Sequence, residues 1–224
     1  MKNKIISLLL LSILLTNCVS KRMLPLTKED IVFLKGKTIA IVHEEEPYLA
    51  VMTYKNVMIA ALTGGILGYV FMKRDGNKII KENQIKDPAN LISSNLSKDF
   101  KLKYGATIID EELSKDVGSV SSLSSKYNGK ADYVLDVRTI NWGFGYLPMR
   151  VNDFRVVYSS KLRFIDVKNK KIIAEDFCSI IPDSKEPTSG YQDLLYNNAE
   201  ILKQKLTTHS VKCFDKFKNE IFHF

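Results

Sequence analysis

A helix with clear ends lies between two short apolar strands, and this arrangement constrains the fold more than any other feature. Residues 38–42 and 107–109 are compact apolar runs rich in β-branched side chains, a pattern typical of buried strands. Between them, Asp87 can cap a helix, Pro88 suits its first position, and Gly105 suits the left-handed residue after its end. Two strands joined through a helix need a crossover connection, which favours parallel pairing. The N-terminal half is therefore predicted to contribute parallel strands.

The second half of the chain shows a different pattern, because its strands follow one another through short loops. Residues 131–142 predict a third strand, followed by a glycine-rich turn at residues 143–146. Residues 156–167 and 171–181 predict a β-hairpin. The third strand is polar on one face, which indicates a solvent-exposed or edge position in the sheet.

A long amphipathic helix is predicted at the end of the chain. Apolar side chains recur at near-heptad spacing between residues 191 and 224, as in a helix that packs one face on a sheet. The order of elements predicts one α/β domain with a mixed β-sheet, in which early parallel strands and a late hairpin are covered by helices. This domain is expected to span residues 37–224, after a tether at residues 18–36.

Residues 57–72, which we call the uncharged segment, are the least typical part of the chain. The segment contains sixteen residues and no charge. Lys55 lies two residues before it, and Lys73 follows it directly. As a helix they would extend about 24 Å, which is shorter than the roughly 30 Å of hydrocarbon in a bilayer. A spanning helix is therefore disfavoured. The residues assigned to a membrane or partner contact are Val57, Ile59, Leu62, Gly64, Gly68 and Phe71.

Three interpretations of the uncharged segment remain open. It is either an element buried in the core, a segment that contacts a membrane or an oligomer partner, or a loop that covers a ligand groove. Gly64 and Gly68 form a GxxxG pattern, which permits close approach of helices in lipid. The third interpretation corresponds to an alternative function, a lipid- or small-molecule-binding protein whose apolar pocket is lined by residues 57–72.

The N-terminus has the order of a secretory signal peptide. Lys2 and Lys4 precede an apolar run at residues 5–15, and the run ends in the motif Leu-Thr-Asn-Cys at Cys18. This motif resembles the lipobox of bacterial lipoproteins, although Asn17 occupies a place where Gly, Ala or Ser is usual. An ordinary signal peptide or an N-terminal membrane helix is the alternative.

The lipobox resemblance implies that residues 1–17 are a signal peptide and that Cys18 carries fatty acids such as palmitate. Two or more acyl chains hold a protein stably at a membrane, whereas one gives reversible binding. Val19 occupies the place where Asp retains enteric lipoproteins in the inner membrane, so the resemblance favours the outer membrane, with the domain facing the periplasm. The layout is also similar to that of curli-secretion and transport-auxiliary lipoproteins, which implies a non-catalytic envelope component.

Two further cysteines, Cys178 and Cys213, remain once Cys18 is assigned to lipid. An even pair in an exported domain predicts a disulfide, and two buried free thiols are the alternative. Cys178 lies on a predicted strand and Cys213 on the apolar stripe of the last helix. Packing of that helix on that strand would bring the two sulfur atoms together.

No motif in the chain identifies a reaction. Asp132 and Asp136 share a strand face, but the neighbouring Arg138 favours an ion-pair row over a general acid. The carboxylates of residues 44–46 lack the spacing of a Ca²⁺ loop, and no G-x-S-x-G elbow surrounds any serine. His209 is predicted at the surface or boundary of the last helix. Enzymatic activity, a metal site and a cofactor are therefore not predicted.

The sequence thus predicts a lipid-anchored, non-catalytic envelope protein that takes part in a periplasmic or outer-membrane assembly or transport complex. Its expected partners are membrane lipid through acylated Cys18, and either a second copy or another envelope protein. The net charge of +8 comes mostly from dispersed lysines without an arginine-rich block. This distribution disfavours nucleic-acid binding.

Overall fold

The computed structural model of the chain describes residues 23–43, 45, 47–110, 118–183 and 186–224. The strands are β1 (Thr38–Val42), β2 (Ala50–Met52), β3 (Thr107–Asp110), β4 (Tyr133–Leu147), β5 (Arg150–Asp166) and β6 (Lys171–Ile180). The helices are α1 (Lys28–Val32), α2 (Tyr54–Leu62), α3 (Ile66–Asn83), α4 (Pro88–Tyr104), α5 (Val120–Tyr127) and α6 (Tyr191–Phe217). A π-helical turn at Lys218–Phe222 continues α6.

The six strands form one mixed sheet. Five of them lie in the order β3-β1-β4-β5-β6, and β2 lies beside β4. Strand β1 runs parallel to β3 and β4, and β2 also pairs parallel with β4, where Ala50 lies opposite Gly143. Strands β4, β5 and β6 are antiparallel neighbours. The predicted α/β domain, with early parallel strands, a late hairpin and a long C-terminal helix, is confirmed.

The main core lies between one face of this sheet and the helices α4 and α6. Leu96 and Phe100 of α4 and Leu206 of α6 are almost completely buried against Phe164 of β5. The rings of Phe100 and Phe164 stack with a centroid separation of 5.4 Å. The amphipathic stripes of the two helices thus cover the apolar face of the central strands.

The polar face of β4 was expected at an edge or in solvent, and this prediction was wrong. Strand β4 is central, and Asp136 is fully buried. The nearest guanidinium nitrogens of Arg138 and Arg163 lie 2.7 and 2.5 Å from the Asp136 carboxylate. Helix α5 covers this face through Leu123 and Tyr127. A carboxylate can be buried here because two guanidinium groups, whose side chains are only 17% and 12% exposed, pair with it.

Strand β4 also continues through residues 143–146, which were predicted as a turn. A Cβ at Gly143 would lie 2.2 Å from the carbonyl oxygen of Ala50. Glycine at this position therefore allows the backbone of β2 to pair closely with β4. Strand β2 contains three residues, too few for a periodic signal in the sequence, and was not predicted.

The described chain begins inside the segment that was predicted as a tether, and this part packs on the domain. Leu24 pairs with Glu175 of β6 through backbone hydrogen bonds of 2.7 and 2.9 Å. Leu26 and Leu34 are buried in the core. The folded body thus begins before residue 37. Cys18, the predicted signal peptide and the first residues of the predicted tether lie outside the described residues.

Candidate functional site

The uncharged segment folds into two helices, α2 and the first part of α3, which are joined by a tight turn. Thr53 caps α2 by accepting a hydrogen bond from the backbone N–H of Asn56. Gly64 and Gly65 have φ values of +62° and +93°, a region that favours glycine, and they reverse the chain. We call residues 54–72 the apolar hairpin.

Gly68 holds the two helices of the apolar hairpin together. A Cβ at Gly68 would lie 2.2 Å from the Cβ of Ala60, so the helices meet at a contact that only glycine permits. Gly68 is itself buried. It was predicted to contact a membrane or partner, and the structure places it inside the hairpin instead, because small residues are needed where the two helices approach most closely.

The base of the apolar hairpin is fixed to the sheet next to β2. A Cβ at Gly76 would lie 1.7 Å from the carbonyl oxygen of Leu49, so α3 rests directly on the backbone before β2. The buried amide of Asn56 donates to the carbonyl of Val51 and to the carboxylate of Asp75, each at 3.2 Å. The hairpin is thus attached at its base by close packing and by hydrogen bonds.

The outer part of the apolar hairpin is exposed although it carries no charge. Leu62 at the end of α2 is 80% exposed, and Ile66 at the start of α3 is 72% exposed. Exposed apolar residues of the hairpin are Tyr54, Met58, Leu62, Ile66, Leu67, Tyr69 and Val70. Exposed apolar side chains in this number are typical of a contact surface.

The remaining predicted contact residues are distributed along the same hairpin. Gly64 is exposed at the turn, and Val57, Ile59 and Phe71 are half-buried between the helices and the surface. The interpretation of a segment buried in the core was therefore wrong. A closed pocket lined by residues 57–72 is also contradicted, because side chains exposed to this extent do not enclose a cavity.

Cys178 and Cys213 form a disulfide, as predicted from their even number and placement. Both residues are buried, and their Cα atoms are 5.6 Å apart. The bond connects β6 to α6 within the core, so its role in the described fold is structural.

The two aspartates considered for acid–base chemistry do not form a catalytic pair. Asp132 pairs with Lys37 at 3.1 Å and accepts a hydrogen bond from the backbone N–H of Thr38. Burial raises the pKa of Asp136 to about 6, against the opposing charge of Arg138. Each carboxylate thus has its own basic partner, as the ion-pair interpretation predicted, although Asp136 is buried rather than solvated.

His43 lies at the end of β1 in a polar cluster that sequence reasoning did not find. Its Nδ1 is 2.9 Å from the side-chain oxygen of Asn90, and its Nε2 is 2.6 Å from Asp110. Both ring nitrogens thus have side-chain partners in the described fold. The partners lie 47 and 67 residues away in the chain. Asp110 is brought to His43 by the pairing of β1 with β3, and Asn90 comes from α4.

A buried network next to this cluster connects α4 to the sheet. Asp87 accepts hydrogen bonds from the hydroxyl of Thr139 and from the backbone N–H of Ala89 in the first turn of α4. Burial raises the pKa of Asp87, although both hydrogen bonds oppose that effect. Burial also raises the pKa of Tyr158, whose hydroxyl is 3.3 Å from Thr139. Because Asp87 caps a helix and sits in a satisfied network, its arrangement is that of a structural group.

Neither a metal-binding group of side chains nor a membrane-spanning helix is found in the described ranges. Within them, no group of three or more His, Cys, Asp or Glu side chains is arranged to hold a metal ion. Across the same residues, every helix is too short or too polar to cross a bilayer.

Comparison with known proteins gives only distant structural similarity. No protein-family model and no curated protein matches the chain. Solved structures similar to it include the LpoB C-terminal domain from Salmonella enterica, at 13% identity over 66% of this chain and 84% of that chain, with a TM-score of 0.33. The match to the PelC dodecamer from Paraburkholderia phytofirmans has 12% identity, covers 90% of this chain and 96% of that chain, and has a TM-score of 0.36. Lipoprotein GNA1162 from Neisseria meningitidis gives 15% identity, 79% and 99% coverage and a TM-score of 0.28. TM-scores below 0.5 assign neither a fold family nor a function to this chain.

Proposed function

We propose that this protein is a non-catalytic bacterial envelope lipoprotein and a component of an assembly or transport complex. Acyl chains on Cys18 hold it at a membrane, with the outer membrane as its location, and the α/β domain faces the periplasm. The observation that carries the proposal is the apolar hairpin, because an exposed surface without charge needs a partner that excludes water. A lipid-anchored domain is held where such partners, membrane or envelope protein, are concentrated.

The disulfide between Cys178 and Cys213 supports a compartment outside the cytosol. Disulfides form and persist in exported proteins, whereas cytosolic thiols are kept reduced. The signal-peptide pattern before Cys18 points to the same compartment independently. The assignment of Cys18 to lipid leaves these two cysteines for each other, which is consistent with the bond.

The side chains considered for catalysis support a binding role rather than an enzymatic one. Asp136 is held between Arg138 and Arg163, and both ring nitrogens of His43 are engaged by side-chain oxygens. A general acid or base needs an atom free to exchange a proton with a substrate. Asp136 has an oxygen without a hydrogen-bond partner, Oδ1, but the side chain is fully buried, so a substrate does not reach it in the described fold.

The lipid anchor is tested by metabolic labelling of the full chain with a palmitate analogue. We expect the native protein to be labelled and the Cys18→Ala variant to lose the label, because the cysteine thiol is the acylation site. Cys178→Ser is the matched control, which removes a different cysteine and should keep the label. Unchanged labelling of Cys18→Ala, or recovery of the protein in the cytosol with its leader intact, would refute the anchor.

Participation in a complex is tested separately, by sedimentation of the native lipoprotein extracted from envelopes in mild detergent. We expect a particle whose protein mass is well above the 25.5 kDa of one chain. Chemical cross-linking before extraction should preserve the same particle. A monomer under both conditions would contradict the assembly role and leave the anchor unaffected.

A further inference from the structure

We infer that the apolar hairpin inserts into one leaflet of an anionic lipid bilayer, with its turn in the hydrocarbon and its base among the headgroups. This inference rests on the proposed function, which brings the domain to a membrane, and it deepens that function by naming lipid as the partner of the hairpin. Four observations carry it: the length of the hairpin, the hydrogen bonds of its turn, the charges at its base and the position of its tyrosines.

The uncharged part of the hairpin is short enough to fit within the hydrocarbon of one leaflet. Residues 57–62 of α2 and 66–72 of α3 are uncharged, and each helical stretch extends about 10 Å at 1.5 Å per residue. One leaflet contributes about 15 Å of the roughly 30 Å hydrocarbon core. The hairpin can therefore enter a leaflet from one side without crossing the bilayer.

Three donors of the turn at the tip bond to carbonyls of α2. The hydroxyl of Thr63 donates to the carbonyl of Ile59 at 2.7 Å, and the backbone N–H of Gly65 donates to the carbonyl of Ala60 at 2.7 Å. The backbone N–H of Thr63 also donates to Ile59, at 3.1 Å. Backbone groups in hydrocarbon have no water to bond, so a turn at that depth must pair its own groups. A turn in solvent has no such requirement.

Cations are concentrated where the hairpin joins the domain. Lys55 precedes the uncharged segment, and Lys73 and Arg74 follow it directly. All three are exposed. Asp75 is the acidic residue at this end, and it pairs with Arg74 at 2.9 Å. The base thus carries an excess of positive charge, which anionic headgroups attract.

Two exposed tyrosines lie towards the base of the hairpin. Tyr69 packs edge-on against Tyr48 at a centroid separation of 5.4 Å, and Tyr54 packs similarly against Tyr146 at 6.1 Å. Tyr54 and Tyr69 remain about half exposed. Tyrosine is enriched at membrane–water interfaces, because its ring is apolar and its hydroxyl is polar. On α3, Tyr69 thus lies between the apolar tip and the cations Lys73 and Arg74, whereas on α2 Tyr54 and Lys55 are neighbours at the base.

The test uses depth-dependent quenching of a tryptophan placed at the tip of the full lipoprotein. The Leu62→Trp variant is reconstituted into phosphatidylethanolamine–phosphatidylglycerol vesicles with either ordinary or brominated acyl chains. Leu102→Trp is the matched control, because Leu102 is also exposed, at 86%, but lies on α4. The native Trp142 is fully buried and provides the background in both variants.

We expect brominated lipid to reduce the added emission of Leu62→Trp by about half, as for an apolar side chain about 5–10 Å below the headgroups. Leu102→Trp should change no more than the native background. Because Leu62 is 80% exposed, its replacement is not expected to disturb folding. Equal emission of Leu62→Trp in ordinary and brominated lipid would overturn the inference, and so would cross-links from residue 62 to protein in place of quenching.

Failure of the inference is distinguishable from failure of the anchor. Palmitate labelling and vesicle binding without quenching would refute hairpin insertion and leave the anchor intact. Quenching in a protein without palmitate would refute the anchor and support insertion. A second comparison uses vesicles of phosphatidylcholine alone, in which quenching should weaken. Equal quenching in neutral and anionic vesicles would overturn the contribution of Lys55, Lys73 and Arg74.

Discussion

The apolar hairpin and helix α6 are both rich in apolar residues, yet they have opposite relations to the fold. Helix α6 has apolar residues on one face and charged residues on the other, and it buries the apolar face on the sheet. The apolar hairpin has no charged face, and residues such as Leu62 and Ile66 remain exposed. A periodic pattern therefore identifies the buried face of a helix, whereas uniform apolarity does not identify what covers it.

The two regions are also attached differently. Helix α6 is bonded to β6 through Cys178 and Cys213, deep in the core. The hairpin is attached at its base, where Gly76 meets Leu49, and by the packing of Tyr69 on Tyr48, and its helices are held together at Gly68. We expect perturbations of α6 to affect the stability of the whole domain and perturbations of the hairpin to affect mainly the hairpin itself.

The largest effect is expected from removing the disulfide. The Cys178→Ser, Cys213→Ser double variant should lower the free energy of unfolding by about 4 kcal/mol, the chain-entropy value for a loop closed across 35 residues. Denaturant unfolding of the oxidised native protein and the double variant measures the difference. Reduction of the native protein is the control and should reproduce the loss, and equal stability of oxidised and reduced protein would contradict it.

A smaller effect in the same helix is expected from His209, which is 5% exposed rather than at the surface or boundary. Burial, with help from Lys212 and Lys205 and against Glu186, lowers the pKa of His209 to about 4. Below pH 6.5, His209 binds a proton in the unfolded state, whereas in the folded state it stays neutral until the pH approaches 4. The contribution of His209 to stability should therefore fall between pH 6.5 and pH 4, by up to about 3 kcal/mol. Asp136, whose pKa burial raises to about 6, contributes in the opposite direction over this range.

Denaturant unfolding across this pH range measures the contribution of His209. The His209→Gln variant should lose this contribution between pH 6.5 and pH 4, because glutamine does not titrate, while Asp136 contributes equally in both proteins. His223→Gln, at an exposed position near the C-terminus, is the matched control and should keep it. The same slope in the native protein and in His209→Gln would show that another group is responsible.

Overpacking at Gly68 is expected to disturb the hairpin. The Gly68→Leu variant must push Ala60 and α2 away, which should cost about 2 kcal/mol of local stability. Hydrogen exchange should therefore increase at the backbone of α2 and little in α4. Leu67→Ala, at the neighbouring exposed position, is the control and should leave exchange unchanged. Unaltered exchange in Gly68→Leu would mean that the two helices do not meet at this glycine.

The smallest effect on stability is expected at the tip of the hairpin. The Leu62→Ser, Ile66→Ser double variant should change the free energy of unfolding in water by less than about 0.5 kcal/mol per site, because both side chains are already exposed. Thermal unfolding of the lipid-free domain measures this. A loss of several kcal/mol would show that the tip is buried in solution, against a second copy or another surface.

Local signals predicted the elements whose boundaries depend on neighbouring residues. Asp87 caps α4 and Gly105 follows its end with a φ of +61°, as their positions indicated. The hairpin of β5 and β6 was predicted near its actual place, because the chain reverses within a few residues. These features depend on backbone preferences and on hydrogen bonds between residues close in the chain.

Features that depend on distant residues were not predictable in the same way. In the local sequence, Asp136 indicated an exposed strand. In the structure it lies beside Arg163, which is 27 residues away in the chain. The pairing of β2 depends on Gly143 of β4. The bridge of Leu24, near the start of the described residues, depends on Glu175 of β6. In each case the local pattern is the same whether or not the distant partner is present.

The sequence alone determined the alternation of helices and strands, the candidate disulfide and the position of a long segment without charge. Only the tertiary structure decided that this segment is an exposed hairpin, that Gly68 packs within it, and that β4 is central. The physical reason is that apolar composition determines which surfaces avoid water, whereas the arrangement of distant elements determines which of those surfaces find a partner in the same chain.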